Sequence, residues 1–225
     1  MNQDYTHITV ILDRTGSMES IRDDVIGGFN AFLHEQKQQA GKATLTLVQF
    51  DTQDPYEVVH HWREIKEVPE LNKKTYVPRA STPLYDAIGR GINDLEASID
   101  KLPESDRPSQ VMLVIITDGQ ENSSKEFTKA RVTQMITEKQ KEHDWQFVFL
   151  SADLAAMGEA RDIGFADSAS LLFEKSDRGS AKAFHSLSKQ TIEYRSRKKK
   201  QFGFEASDLQ KDDDAKDAAD DSALT

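Results

Sequence analysis

The chain has 225 residues, a formal net charge of −10, 37% apolar and 30% charged residues, and no cysteine. That length fits one domain with a substantial core, and the missing cysteine excludes disulfides and thiolate metal sites and favours a reducing compartment. The opening MNQDYTHITVILD has no basic n-region, and no apolar run nears the roughly 20 residues of a membrane helix, so the reading is a soluble, cytoplasmic protein without a membrane partner.

Ile8–Leu12 is a short apolar run and reads as a buried strand that stops at Asp13. Met18, Ile21, Val25, Phe29, Phe32 and Leu33 then recur at helical spacing, and Gly41 stands where such a helix stops. Ala43–Phe50 alternates as a strand does, and Tyr56–Trp62, β-branched and aromatic, reads as an edge strand. The stretch from Ile65 to Arg79 carries Pro69 and Pro78 and reads as loop. A second helix follows with Leu84, Ile88, Ile92, Leu95 and Ile99 on one face, Thr82 as its N-cap and Pro83 at its first helical position.

Val111–Ile116 is six consecutive apolar residues, the pattern of a central strand covered on both faces. Thr117-Asp118-Gly119 ends it. A helix around 127–142, a strand at Gln146–Leu150, a short helix after Asp153, a strand at Leu171–Phe173 and a final helix over 177–199 complete the order. Alternating strands and helices predict an α/β fold: a three-layer, Rossmann-like doubly wound sheet, mostly parallel, with one antiparallel edge strand.

The charge is unevenly placed. Residues 203–225 hold eight acids and two lysines, −6 in all, which leaves −4 for residues 1–202. The expected division is a domain at 1–202 and an acidic, disordered tail at 203–225, since the tail has few large apolar residues to offset its ordering entropy. Arg195, Arg197, Lys198, Lys199 and Lys200 precede it. Acids so close to a basic run compete with phosphate, so no nucleic-acid partner is expected.

Ligands of such folds bind beyond the carboxyl ends of the strands. Three segments bring oxygen there: Asp13, Thr15 and Ser17 after the first strand, Thr82 before the second helix, and Asp118 after the central strand. Two carboxylates and three hydroxyls, without histidine or cysteine, suit Mg²⁺, Mn²⁺ or Ca²⁺ better than zinc or copper. In these residues the chain resembles a known family: DRTGSM, STPL and TDG, in this order and spacing, are similar to the von Willebrand factor A domain over roughly residues 5–195. The resemblance implies that Asp13, Thr15, Ser17, Thr82 and Asp118 form a metal-ion-dependent adhesion site. Thr15 stands where that family usually has serine. It further implies a single-domain intracellular binding module, not an enzyme, that takes an acidic residue of a protein partner onto the bound ion. Some intracellular members of the family serve AAA+ ATPases or other multiprotein machines.

Each residue has a plainer reading. Ser17 and Thr82 can be helix caps, and Asp118-Gly119 a turn. Arg14 reads as solvent-facing and Asp51 as a turn former. Asp86 reads as a first-turn acid suited to the helix dipole. Glu121 and Asn122 read as rim residues able to touch a ligand. The glycine pairs 27/28 and 89/91 read as sites of close packing against the sheet. The competing function is a Mg²⁺-dependent hydrolase, a phosphatase or nuclease, using the same aspartates, but no general base stands in register with them. The tail DDDAKDAADD offers a further partner: tethered carboxylates able to bind the metal of their own domain.

Overall fold

A computed structural model describes residues 2–209, with side chains from residue 4. Its elements in chain order are β1 (Asn2–Asp13), α1 (Arg22–Lys37), β2 (Lys42–Phe50), β3 (Glu57–Glu64), α2 (Leu84–Asp100), β4 (Pro108–Thr117), α3 (Lys129–His143), β5 (Gln146–Ser151), α4 (Leu154–Asp162), β6 (Ser170–Leu172), α5 (Asp177–Arg195) and the short α6 (Ala206–Leu209). The sheet order is β3-β2-β1-β4-β5-β6. Every neighbouring pair is parallel except β2–β3, so the antiparallel edge strand lies where the sequence placed it.

The period of two along β1 and β4 builds the layers. Ile8, Val10 and Leu12 of β1 and Met112, Val114 and Ile116 of β4 face α1 and α5, where they meet Val25, Phe29, Phe32, Phe184 and Leu187. Ile11, Leu113 and Ile115 face the other way, onto Ile88 and Ile92 of α2 and Val132 and Ile136 of α3. Both cores are fed by the same two central strands, which is why the run from Val111 to Ile116 is apolar without a break.

Several boundaries differ from the sequence reading: β1 begins at Asn2 rather than Ile8 and the last strand is Ser170–Leu172, and three further differences shape the chain. The first helical segment opens as a 3₁₀ turn over Gly16–Ile21. Its α-helix ends at Lys37, capped by Gln38 in ordinary helical geometry. Gly41, at φ +82°, instead turns the chain into β2 under the Asp4 carbonyl. The last helix ends at Arg195 rather than 199, and Arg197, at φ 58°, reverses the chain. Phe202 and Phe204 are then buried against the α1–α5 layer, and Glu205 pairs with Lys189 and Lys199. Packed chain thus continues past residue 202, while the acidic stretch from 210 to 225 lies outside the described residues.

The glycines divide by function. Gly91 lets α2 approach Ile11 of the sheet, as expected, but Gly28 serves a helix–helix contact: a Cβ there would sit 2.1 Å from the Phe184 ring of α5. Around Gly27 nothing lies within 4 Å. Gly28→Ala is therefore expected to destabilise the domain by about 2–3 kcal/mol through overpacking. Gly27→Ala should stabilise it by about 0.5–1 kcal/mol through helix propensity. Urea denaturation of the pair checks both; equal midpoints would refute the close contact.

Candidate metal centre

The strand order reverses between β1 and β4, and the crevice beyond their carboxyl ends is the topological switch point of a doubly wound sheet. Asp13 is the last residue of β1, and Thr117 is the last of β4 with Asp118 next to it. The register that pairs Leu12 with Ile116 brings the two strand ends side by side.

Asp13 is fully buried. Its Oδ1 accepts the Thr15 amide at 2.6 Å and its Oδ2 accepts the Thr117 hydroxyl at 2.6 Å. Its carbonyl accepts the Tyr76 hydroxyl at 2.6 Å, which pins the strand end to the long loop before α2. Thr15 begins the 3₁₀ turn, but its hydroxyl caps nothing; it lies 3.3 Å from Ser17 Oγ. Ser17 Oγ donates to Asp118 Oδ1 at 2.5 Å, so it is no cap either.

Thr82 does not cap α2. The N-cap is Pro83, and no side-chain capping bond is made there. The first-turn amides are satisfied from elsewhere: Tyr85 N–H donates to Glu121 Oε2 at 2.9 Å and Asp86 N–H to Ser124 Oγ at 3.0 Å. Asn122 clasps Thr82 at the backbone, accepting its amide at 2.9 Å and donating to its carbonyl at 3.1 Å. The Thr82 hydroxyl is thereby released from capping and turned to the crevice. A Cβ on Gly119 would lie 3.7 Å from Thr82 Oγ1 and 3.8 Å from Ser17 Oγ, so these two hydroxyls converge over the glycine.

The structure thus gathers the five expected residues at one place. It reassigns others. Glu121 and Asn122 act as clasps, Asn122 from an exposed position at the rim; Glu121 also accepts the amides of Ser123 and Ser124. Asp86 accepts three amides, those of Lys125, Glu126 and Phe127, and so fixes the loop after β4. Arg14 is 5% exposed, not solvent-facing. Its Nε donates to Asp51 at 2.9 Å, and its guanidinium also pairs with Glu57. Asp51 does form the expected turn, accepting the Gln53 and Asp54 amides, but is in addition the common counter-ion of Arg14 and Arg79. Burial works against its charge, yet the bonds from Arg79, the two amides and Arg14 hold its carboxyl below the usual range.

Three residues of the centre went unread in the sequence as parts of it: Thr117 and Tyr76, which hold Asp13, and Lys175, whose Nζ sits 2.9 Å from Asp118 Oδ2. Thr117 is a strand-end threonine like many others. Lys175, in the loop from β6 to α5, could have been found only by asking which loops a parallel sheet sends to its carboxyl edge.

Asp13 carries the electrostatic cost of the arrangement. Burial is the chief cause pushing its carboxyl up to about 7, and the neighbouring Asp118 adds to it; the bonds from Thr117 and Thr15 oppose the shift. No ion pair reaches Asp13 among the described residues. A buried carboxylate with no cation on it, beside a second carboxylate and three hydroxyls, is a donor set that a divalent cation would complete. No group of three or more His, Cys, Asp or Glu side chains is placed to hold a metal among the described residues. Nor is any helix among them long and apolar enough to cross a membrane.

Strand order and site define the class: a doubly wound α/β domain with an oxygen-lined crevice at its switch point. The fold is that of the von Willebrand factor A domain. Proximal thread matrix protein 1 from the mussel byssus, in a structure described with a zinc-occupied MIDAS motif, has a TM-score of 0.56 at 15% identity over 85% of this chain and 47% of that one. The pilus adhesin SpaC from Lactobacillus rhamnosus GG, in its open conformation, gives 0.62 at 12% identity over 86% and 30%. A von Willebrand factor type A structure from Catenulispora acidiphila gives 0.54 at 14% identity over 85% and 43%. This chain spans less than half the length of each. No family model and no curated protein sequence matches it.

Proposed function

We propose that this domain is a metal-dependent protein-interaction module, with Asp13, Thr15, Ser17, Thr82 and Asp118 holding a divalent cation, Mg²⁺ by the hardness of the donors. The observation that carries the reading is that neither Ser17 nor Thr82 spends its hydroxyl on a helix cap, so that both converge over Gly119, where Ser17 already bonds Asp118. The zinc-occupied motif described for the mussel byssus protein supports a divalent site in this fold. A bound ion would supply an electropositive acceptor for a carboxylate from a partner. The chain's own residues do the rest. Thr117 and the Thr15 amide orient Asp13, and the Asn122 clasp fixes Thr82. Ser17 is exposed, so the site opens to a macromolecule rather than to a closed pocket.

The partner is a protein with an accessible acidic residue, and the domain acts as a recruiting subunit of an AAA+ ATPase or comparable machine in the cytoplasm. A binding role is favoured over a phosphatase or nuclease because nearby acids are spent on structure: Glu121 and Asp86 each accept several backbone amides, which leaves neither free to take a proton from water. Capture from native lysate tests the reading, run with Mg²⁺, with EDTA and with Ser17→Ala. Partners present only in the first condition are expected. Identical partner sets in all three would remove the metal from the interaction.

A further inference from the structure

Asp118 is the one carboxylate of the centre that already carries a cation. Its side chain is fully buried, Ser17 occupies Oδ1 at 2.5 Å, and the Lys175 ammonium occupies Oδ2 at 2.9 Å. The lysine is not a chance surface contact, because its backbone is fixed close on both sides. Two residues before it, Phe173 is buried and its amide donates to Ser151 on β5. One residue after it, Ser176 caps α5 through a bond from the Gly179 amide at 3.1 Å. The Ser176 amide returns to the Glu174 carbonyl at 2.8 Å, closing a tight turn around Lys175. The chain between a core phenylalanine and a helix cap therefore delivers an ammonium group to a metal-site carboxylate. Arg14, the other cation nearby in sequence, is committed to Asp51 and Glu57.

We propose that Lys175 is the resident cation of the centre and sets its metal affinity: a divalent ion has to displace the ammonium from Asp118 to bind. This rests on the metal-binding reading above. Asp13 and Asp118 together bring two negative charges, which a divalent ion balances alone. With Lys175 still in place the centre would carry an excess positive charge at contact distance, which is repulsive in so buried a setting. Displacement is feasible because the lysine stem is 42% exposed and the ammonium can swing into water. The apparent affinity falls by the fraction of molecules in which Asp118 is free; if that is ~10%, binding weakens about tenfold. The site then fills only where the ion is abundant, or where a partner's carboxylate helps to hold it.

The test is isothermal titration of the full chain with Mn²⁺ and with Mg²⁺, comparing wild type, Lys175→Met and Lys175→Arg. Lys175→Met should bind at least tenfold more tightly, whereas Lys175→Arg, which keeps the charge, should stay near wild type. Thermal unfolding in EDTA guards against a folding defect, since a misfolded variant cannot gain affinity. Equal or weaker binding by Lys175→Met overturns the inference and leaves the metal site standing. No binding by any of the three overturns both. A second readout follows the lysine itself: acetylation of Lys175, read by peptide mass spectrometry, should rise when Mg²⁺ is added to wild type and should already be high without metal in Asp118→Asn. Labelling that Mg²⁺ leaves unchanged would mean that the ammonium is not displaced.

Discussion

Asp13→Asn is expected to make the metal-free domain more stable at pH 8 and to abolish its thermal response to divalent cations. The wild-type carboxyl is pushed up to about 7 in the folded chain, chiefly by burial, against an ordinary value near 3.8 when unfolded. Between these two values the folded state keeps a proton that the unfolded state gives up, so stability falls as pH rises through this window and levels off above it. At pH 8 the cost is on the order of 4 kcal/mol, or roughly 8–16 °C in Tm for a domain of this size. Asparagine preserves the shape: its carbonyl accepts the Thr15 amide, and the Thr117 hydroxyl can turn to accept from its amide. The variant should therefore show a flat Tm between pH 5 and 8, where metal-free wild type declines. Mg²⁺ should raise Tm at pH 8 in wild type alone. Calorimetric scans across pH, with and without EDTA, measure all of this; a Tm that falls with pH equally in both proteins would show that Asp13 is not the group responsible.

Asp86→Ala is expected to cost about 2–4 kcal/mol, as three partly buried amides lose their acceptor at once. One carboxylate holds the Lys125 amide at 2.8 Å, Glu126 at 2.9 Å and Phe127 at 2.8 Å. The same loop seats Phe127 against Gly89 and carries Glu121, Asn122 and Ser124, which cap α2 and clasp Thr82. Loosening it should therefore also weaken metal binding at the proposed centre, although the Asp86 carboxylate itself bonds to the amides of Lys125, Glu126 and Phe127. Asp86→Asn, which keeps one accepting oxygen, should fall between wild type and alanine in urea midpoint. An alanine variant that melts within 1 °C of wild type would contradict this role for the carboxylate, given the roughly 2–4 °C expected per kcal/mol.

The two variants separate what was legible from what was not. Asp13 and Asp118 were found from their places at the ends of apolar runs and Thr82 from its place before the second helix, and the family resemblance joined them into one site. Asp86 was seen as a first-turn acid, and its three bonds to Lys125, Glu126 and Phe127 were invisible, because they join residues some forty positions apart. The Thr82 hydroxyl shows the same limit. A threonine before a proline and an apolar helix reads as a cap, and only the arrival of Glu121 and Ser124 at the first-turn amides shows that it is not one.

By itself the sequence determined the layers and the edge. Periods of two and of 3.6, an unbroken apolar run at Val111–Ile116 and a switch in pattern at Asp13 are local consequences of which side of a strand or helix is buried. It also placed oxygen-bearing residues able to bind a hard cation at the ends of the strands and the start of α2. The tertiary structure decided how those residues are charged and held. Arg14 turned inward to Asp51, Thr117 and Tyr76 closed on Asp13, and Lys175 came from the far side of the sheet to Asp118. Burial and charge pairing depend on which loops meet at the sheet's carboxyl edge, and that meeting is set by strand order rather than by any window of neighbouring residues.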